Sequence, residues 1–130
     1  MVQKSIEDIF EESSIIFPGY ATDAEAKPWY SPPGWNGVFL KDLITGKETK
    51  GQFSYHLVRI QEHCEVPDHA HDTQWEVNAI FNGNGSFLLE EKIIPIKTGQ
   101  TFATPPGNHH TVKAGNKELV LTAMFVPALV

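Results

Sequence analysis

Four residues in two short stretches of this 130-residue chain have side chains that could bind a transition metal. His69, His71 and Glu76 lie in the first stretch, and His110 lies in the second. Imidazole suits zinc, copper, iron and nickel, while a carboxylate adds negative charge and extends the choice to manganese. The sequence therefore predicts one divalent transition metal per chain, with iron, manganese, nickel and zinc all left open.

The spacing of the first three residues sets conditions on the backbone. Residues two apart on a β-strand point to the same face, so His69 and His71 would point together into one interior. Glu76 lies five positions further on, and a regular strand would place it on the opposite face. A turn at 72–73, where Asp and Thr side chains can bond to nearby backbone, has to intervene if all three are to converge.

The two stretches resemble the two sequence motifs of the cupin superfamily. The first motif, Gly-x5-His-x-His-x3–4-Glu-x6-Gly, matches this chain at His69, His71, Glu76 and Gly83. The second motif, Gly-x5-Pro-x-Gly-x2-His-x3-Asn, matches at Gly99, Pro105, Gly107 and His110. The chain departs from the motifs at two positions, because His63 stands at the opening Gly of the first and Ala114 at the closing Asn of the second. Both are turn or support positions, so they put loop shape in doubt more than metal binding.

The resemblance implies a fold and a ligand set. It extends from about residue 62 to residue 125 and implies an all-β, single-domain jelly-roll barrel of the small conserved-barrel type. It also implies that the four residues that could bind a metal are the ligands. His109 neighbours His110, and on a strand it would face away from the site.

Strand-like runs and turn signals alternate along the chain, as expected for a β-sandwich or barrel. The predicted strands cover 38–44, 52–62, 76–81, 86–90, 92–96, 101–104, 109–113 and 119–126. Turns are predicted at 45–47 and 114–116, and the glycine-rich segment 82–85 is a hairpin signal. A capping box at Ser5 predicts a short N-terminal helix that covers a barrel edge. We expect residues 1–34 to form this helix and an aromatic, proline-rich arm packed on the barrel, with residues 35–130 as the barrel itself.

Three further polar residues are candidates to bind a substrate. Asn78 shares strand parity with Glu76, and Gln74 lies beside the first motif, where a turn role is equally open. His56 lies on one face of strand 52–62, but both faces mix apolar and polar residues, so the alternation does not decide which face lines the pocket. The aromatic arm could complete the pocket wall, pack on a partner or cover the core.

Composition and charge exclude several classes of protein. The net charge is −6 with no cluster of Lys and Arg, which argues against a nucleic-acid partner. No apolar run is long enough to span a bilayer, and the acidic N-terminus does not resemble a signal peptide, so a cytoplasmic protein is expected. The single cysteine, Cys64, cannot form an internal disulfide. Segment 119–126 is apolar on both faces, which predicts a homodimer.

Four protein ligands in a roughly octahedral site leave about two positions open for a small molecule. Such a site can polarise a bound substrate or lower the pKa of bound water. The expected function is a metal-dependent enzyme with oxygenase-type chemistry on a small chelating substrate, because similar iron and manganese dioxygenases use three His and a Glu. An isomerase, lyase or decarboxylase is the alternative, and a non-catalytic ligand-binding module of the sensor type is a third hypothesis. The spacing of a Ser-His-Asp triad is not seen.

Overall fold

The computed structural model describes residues 3–130, and short antiparallel strands dominate it. Its two helices over these residues are α1 (Ile6–Glu11) and α2 (Gly46–Thr49). Its strands are β1 (Ser14–Phe17), β2 (Tyr20–Asp23), β3 (Trp29–Tyr30), β4 (Val38–Ile44), β5 (Ser54–Ile60), β6 (Glu65–His69), β7 (Trp75–Asn82), β8 (Gly85–Leu89), β9 (Lys92–Ile96), β10 (Thr101–Thr104), β11 (His110–Ala114) and β12 (Leu119–Val126). None of the helices in this range is long and apolar enough to cross a membrane.

The strands form two sheets that enclose the core, together with a separate β1-β2 hairpin. One sheet has the order β10-β7-β12-β5-β4-β3, and the other has the order β6-β11-β8-β9. This confirms an all-β jelly roll with a short N-terminal helix. The two sheets are not closed into a barrel, because within residues 3–130 the edge strands of one sheet do not pair with those of the other. The sheets are joined by core packing and by chain crossovers, which need no hydrogen bonds between edges.

The core lies between the inward faces of the two sheets. Along β5, Ser54, His56, Val58 and Ile60 are buried on the inner side, and this settles the face that the alternation left open. Phe87 on β8 packs against them from the four-stranded sheet. The predicted strand limits agree with the structure to within about two residues, but β1, β2, β3 and β6 were not predicted.

The N-terminal segment covers the outer face of the six-stranded sheet. Phe10 of α1 packs edge-on against Phe81 and Tyr55, at ring-centroid distances of 5.1 and 6.3 Å. Helix α1 therefore covers a sheet face and not an edge, because its apolar side meets a second buried cluster that includes Leu57 and Val120. The proposed division of the chain after residue 34 stays a prediction, and β3 already belongs to the six-stranded sheet.

The N-terminal segment covers the outer side of β12, and this weakens the argument that β12 needs a second copy of the chain to bury it. Strand β12 is buried on both sides, as its apolar pattern predicted, with Leu121 in the main core and Val120 under the N-terminal segment. One chain thus supplies all the cover that the strand needs, and the pattern no longer points to a second copy. The homodimer stays a prediction that light scattering at micromolar concentration tests.

Two predicted turns have a different structure. Residues 45–47 begin helix α2, because Thr45 and Glu48 form a capping box in which the backbone N–H of Thr45 donates to the Glu48 carboxylate. Segment 82–85 is not a hairpin, since β7 and β8 belong to different sheets. The glycines there serve a crossover between the sheets. A Cβ on Gly83 would lie 2.6 Å from the carbonyl oxygen of Glu118, and its φ is 115°.

We expect Gly83→Ala to lower the free energy of unfolding by about 2–4 kcal/mol, because it adds backbone strain to a steric clash with the chain entering β12. Gly19→Ala is the matched control, since Gly19 has φ 85° but no atom within 4 Å of the added Cβ. Its expected cost is about 1–2 kcal/mol from backbone strain alone. Urea unfolding measures both, and equal costs would contradict the close approach at Gly83.

Candidate metal centre

The four residues that could bind a metal come from both sheets and from the connection between them. His69 ends β6 and pairs with His110, which begins β11, so these two imidazoles lie side by side on the four-stranded sheet. Glu76 is the second residue of β7 in the six-stranded sheet. His71 lies in the bend-containing connection that carries the chain from one sheet to the other, where the turn at 72–73 was expected.

The structure brings these four side chains together. One ligand atom from each can be chosen so that all lie within 4.8 Å of one another. Two ligands on a single ion with bonds of about 2.0–2.2 Å lie at most about 4.4 Å apart, so only a small closure is needed. A carboxylate oxygen of Glu76 lies 3.0 Å from Nε2 of His110 and 3.3 Å from Nε2 of His71.

Backbone carbonyls orient two of the imidazoles. The Nδ1–H group of His69 donates to the carbonyl oxygen of Pro67 at 2.8 Å, and that of His110 donates to Asn108 at 3.0 Å. Each ring then directs its Nε2 toward the cluster, as in metal-binding histidines, whose second nitrogen is usually hydrogen-bonded. Nε2 of His71 is buried and has no hydrogen-bond partner. A buried, unpaired nitrogen among imidazoles and a carboxylate fits a site for a divalent cation.

Each imidazole also packs against an aromatic side chain. Phe87 stacks parallel to His110, with ring planes 7° apart. Phe125 meets His71 edge-on at 4.8 Å, and Trp35 lies 5.6 Å from His69. These contacts restrict the rings to a few orientations, which lowers the conformational cost of binding an ion.

Electrostatic effects within the cluster favour an ionised Glu76. Burial favours the neutral carboxyl, but hydrogen bonds from His110 and from the Asn78 amide outweigh it and hold the pKa of Glu76 well below its usual range. Burial lowers the pKa of His69, which leaves it neutral and free to coordinate. Burial also opposes charge on His110, but its hydrogen bond to Glu76 raises its pKa above the ordinary value. A metal must displace that proton, so binding is expected to release protons.

A cavity of about 160 Å³ opens beside the cluster. His69, His71 and Glu76 line it, as do the candidates His56 and Asn78. The arm contributes Tyr30, Pro32 and Trp35, so it completes part of the pocket wall. Tyr30 and Leu129 are 39% and 43% exposed, which places the arm and the C-terminal segment at the entrance. The contribution of Leu129 was not predicted, because nothing in a terminal apolar residue indicates where it folds back.

The candidate His56 belongs to a hydrogen-bonded chain that sequence reasoning missed. Its Nδ1 lies 2.8 Å from Asp42, which also accepts from the Tyr30 hydroxyl at 2.6 Å, and its Nε2 lies 2.9 Å from Ser54. Ser54 in turn accepts from the backbone N–H of Leu129. A Ser-His-Asp arrangement is therefore present in space although its spacing is absent in sequence. Ser54 is completely buried, and both ring nitrogens of His56 are hydrogen-bonded. The series of hydrogen bonds therefore connects the arm on one side of the entrance to the C-terminal segment on the other.

The other candidates occupy distinct places. Asn78 is buried and donates to Glu76 at 2.9 Å and to the Thr122 carbonyl at 3.3 Å, while its Oδ1 has no partner. Gln74 does not line the cavity, and its amide reaches the Ala128 carbonyl at 3.5 Å. His109 is exposed beside Asp68, away from the cluster, as its parity with His110 predicted.

The antiparallel jelly roll thus brings three imidazoles and one carboxylate together at one end of its interior. The sequence profile described as the cupin domain matches residues 56–126, and this chain belongs to that family. No curated protein matches the chain in sequence. The motif resemblance is thereby confirmed over the part of the chain that carries all four residues of the cluster.

Solved structures with a similar fold include proteins with different described activities. A predicted oxalate decarboxylase from Thermotoga maritima is 21% identical, with a TM-score of 0.73, over 79% of this chain and 95% of that one. The polyketide cyclase RemF from Streptomyces resistomycificus is 14% identical, with a TM-score of 0.68 and 82% of each chain covered. The DMSP lyase DddQ from Ruegeria pomeroyi is 17% identical, with a TM-score of 0.69, over 82% of this chain and 59% of that one. At these identities the likeness concerns the fold alone.

We expect purified protein to bind close to one divalent metal ion per chain, and His71→Ala or Glu76→Ala to reduce its affinity by roughly 10-fold or more, because each removes a ligand or the charge that the ion neutralises. Plasma emission analysis after dialysis against a fixed free-metal concentration measures occupancy. His109→Ala is the control, since it removes a neighbouring imidazole that faces solvent. Equal losses for His109→Ala and His110→Ala would contradict the assignment of the third imidazole.

Proposed function

We propose that the chain is a metal-dependent cupin enzyme that carries out oxygenase-type chemistry on a small chelating substrate. The observation that carries the proposal is that the His-Glu cluster forms one end of a cavity large enough for a small molecule. A ligand that enters the cavity reaches the ion on the side that His69, His71 and Glu76 present to it. A purely structural metal would need no such access, and structural zinc sites are usually closed by thiolates and imidazoles.

The residues of this chain supply the binding and orientation that the chemistry needs. The bound ion would be held by His69, His71, Glu76 and His110, and it would act as a Lewis acid and as a template for substrate and dioxygen. Asn78, which lines the cavity, donates to the carboxylate oxygen of Glu76 that His110 does not contact, and its own buried Oδ1 has no partner. An unpaired buried acceptor costs about 1–3 kcal/mol, so a substrate N–H or O–H group that satisfied it would gain affinity and a defined orientation.

The walls of the cavity keep competing water away from the reacting end. Phe125 contacts His71, and Trp35 contacts His69, so the ligands that face the cavity have apolar neighbours. Low polarity around a metal strengthens its electrostatic effect on a bound substrate. The hydrogen-bonded chain through His56 holds the entrance in one arrangement. In this proposal His56 shapes the pocket and leaves the chemistry to the metal end.

Metal-dependent isomerase, lyase or decarboxylase chemistry is the second candidate. The similar structures described as a lyase and a predicted oxalate decarboxylase favour it, but only at the level of fold. A sensor-like binding module is the third. It would need a partner to receive the signal, because a binding event has to shift some output between two states.

The proposal predicts that Glu76→Gln lowers turnover by roughly 10-fold or more while substrate affinity changes less, because the amide keeps the shape of the side chain but removes ligand charge. The protein is first loaded with iron, manganese, nickel or zinc in turn. Oxygen consumption is then screened against small diketones, thiols and phenolic acids, with mass spectrometry of substrate and product. The matched control is Gln74→Ala, whose side chain lies outside the cavity lining.

The outcomes separate the three candidates. Oxygen uptake matched to product formation supports the oxygenase, and substrate loss without oxygen uptake supports the second candidate. Tight binding to every metal form with no turnover, together with a protein partner that is retained only when ligand is present, would replace both with the binding module.

A further inference from the structure

The wall of the cavity away from the metal end is almost wholly apolar. Aliphatic side chains from both sheets form most of it, and these are Val38, Leu40, Val58, Ile60, Val66, Val112, Leu121 and Ala123. Both nitrogens of His56 are already hydrogen-bonded, and so is the hydroxyl of Tyr30. Among the described residues of the lining, only His71 and Asn78, at the metal end, have a fully buried polar atom without a hydrogen-bond partner.

The lining also contains no Lys or Arg among the described residues. Two basic residues of the six-stranded sheet point to its outer face. Lys41 is buried and donates to the Ala24 carbonyl, and Arg59 pairs with Glu11 and Glu118. A ligand carboxylate placed in the apolar part of the cavity would lose its hydration without gaining a counter-ion, which is costly. Only the metal end can accept negative charge.

The volume limits the size of the apolar part. An apolar protein cavity of about 150 Å³ can take up a benzene molecule. The cavity here has about 160 Å³ with the metal end included, so its apolar part accommodates at most one ring of that size or a short branched aliphatic group. A long chain would have to extend past Tyr30 and Leu129 into solvent.

We propose that the ligand of this site joins one bidentate chelating group, which carries any negative charge of the ligand, to an uncharged apolar body no larger than benzene. The inference rests on the proposed metal-dependent function, since the chelating group needs the ion, but it goes further by defining the substrate class. It excludes small dianions such as oxalate as preferred ligands, because they have no apolar body to fill the rest of the cavity. Leu40, half-buried on β4, becomes a residue that determines specificity for the body.

Hydroxamates test the body independently of the chelating group. Zinc-loaded protein is titrated by calorimetry with acetohydroxamate and benzohydroxamate, which share the same chelating group. We expect benzohydroxamate to bind roughly 10- to 100-fold more tightly, after correction for the affinities of both for free zinc, because its ring is removed from water. Equal corrected affinities would overturn the inference.

A second pair tests charge at constant size. 4-Methylbenzohydroxamate and 4-carboxybenzohydroxamate place a neutral or a negative group at the same position of the ring. The carboxylate should bind roughly 10-fold or more weakly, because no Lys or Arg of the described residues lines the wall that would receive it. Equal binding of the two would show that the wall tolerates charge, which the proposal excludes.

Two variants test whether the preference for benzohydroxamate arises from contacts in this cavity. Leu40→Ala should reduce the preference for benzohydroxamate over acetohydroxamate by at least about 3-fold, since it removes part of the wall. Leu88→Ala is the control, because Leu88 is 38% exposed and does not line the cavity. Acetohydroxamate binding by the same Leu40→Ala sample shows that the metal site is intact. An unchanged preference in Leu40→Ala would overturn the assignment of the ring to this cavity.

The failure of this inference differs from the failure of the proposed function. If neither hydroxamate binds the zinc-loaded protein, the open metal site and the inference fail together. If acetohydroxamate binds as tightly as benzohydroxamate, the open site stands and the apolar substrate class is wrong.

Discussion

A carboxylate buried between two β-sheets is the constraint on which the rest of this structure depends. Glu76 is 8% exposed and ionised, and an isolated charge in such a place would be strongly destabilising. It accepts hydrogen bonds from His110 of the opposite sheet and from Asn78 of its own strand, and Nε2 of His71, in the connection between the sheets, lies 3.3 Å away. The relative position of the two sheets therefore decides whether the charge is compensated, so that correct packing and assembly of the site are one requirement. A bound cation would reinforce both, because metal-binding free energy adds to folding free energy.

The interior has a polar end, which contains the His-Glu cluster, and an apolar end, which aliphatic side chains line. Related folds support unrelated reactions, so the fold alone does not define a substrate. The metal end, with its three imidazoles and one carboxylate, is of a kind that suits several ions. The aliphatic wall, the absence of Lys and Arg from the described lining and the small volume are properties of this chain. Under the proposed function, these side chains would select the ligand and the metal end would carry out the chemistry.

The entrance shows how distant parts of the chain are joined to shape that cavity. Consecutive hydrogen bonds join Tyr30, Asp42, His56, Ser54 and the backbone of Leu129. Each of these hydrogen bonds satisfies a buried or half-buried polar group. Satisfied networks of this kind favour a single conformation of the side chains that form them. Tyr30 of the arm is thus bonded to Asp42 of β4 and the C-terminal segment to Ser54 of β5, and His56 of β5 joins the two.

The sequence by itself determined the elements with strong local signals. Short strands bounded by glycines, the capped N-terminal helix and the four motif residues could all be predicted, because hydrophobic period, capping chemistry and ligand spacing are local properties.

Only the tertiary structure decided which sheet each strand joined. Segment 82–85 has the composition of a hairpin but crosses between sheets, and α1 covers a face where an edge was expected. The inward face of β5, the Asp42-His56-Ser54 contacts and the place of Leu129 also depend on residues far apart in the chain. Local patterns carry no information on such pairings, which follow from the joint burial of apolar surface and of the Glu76 charge.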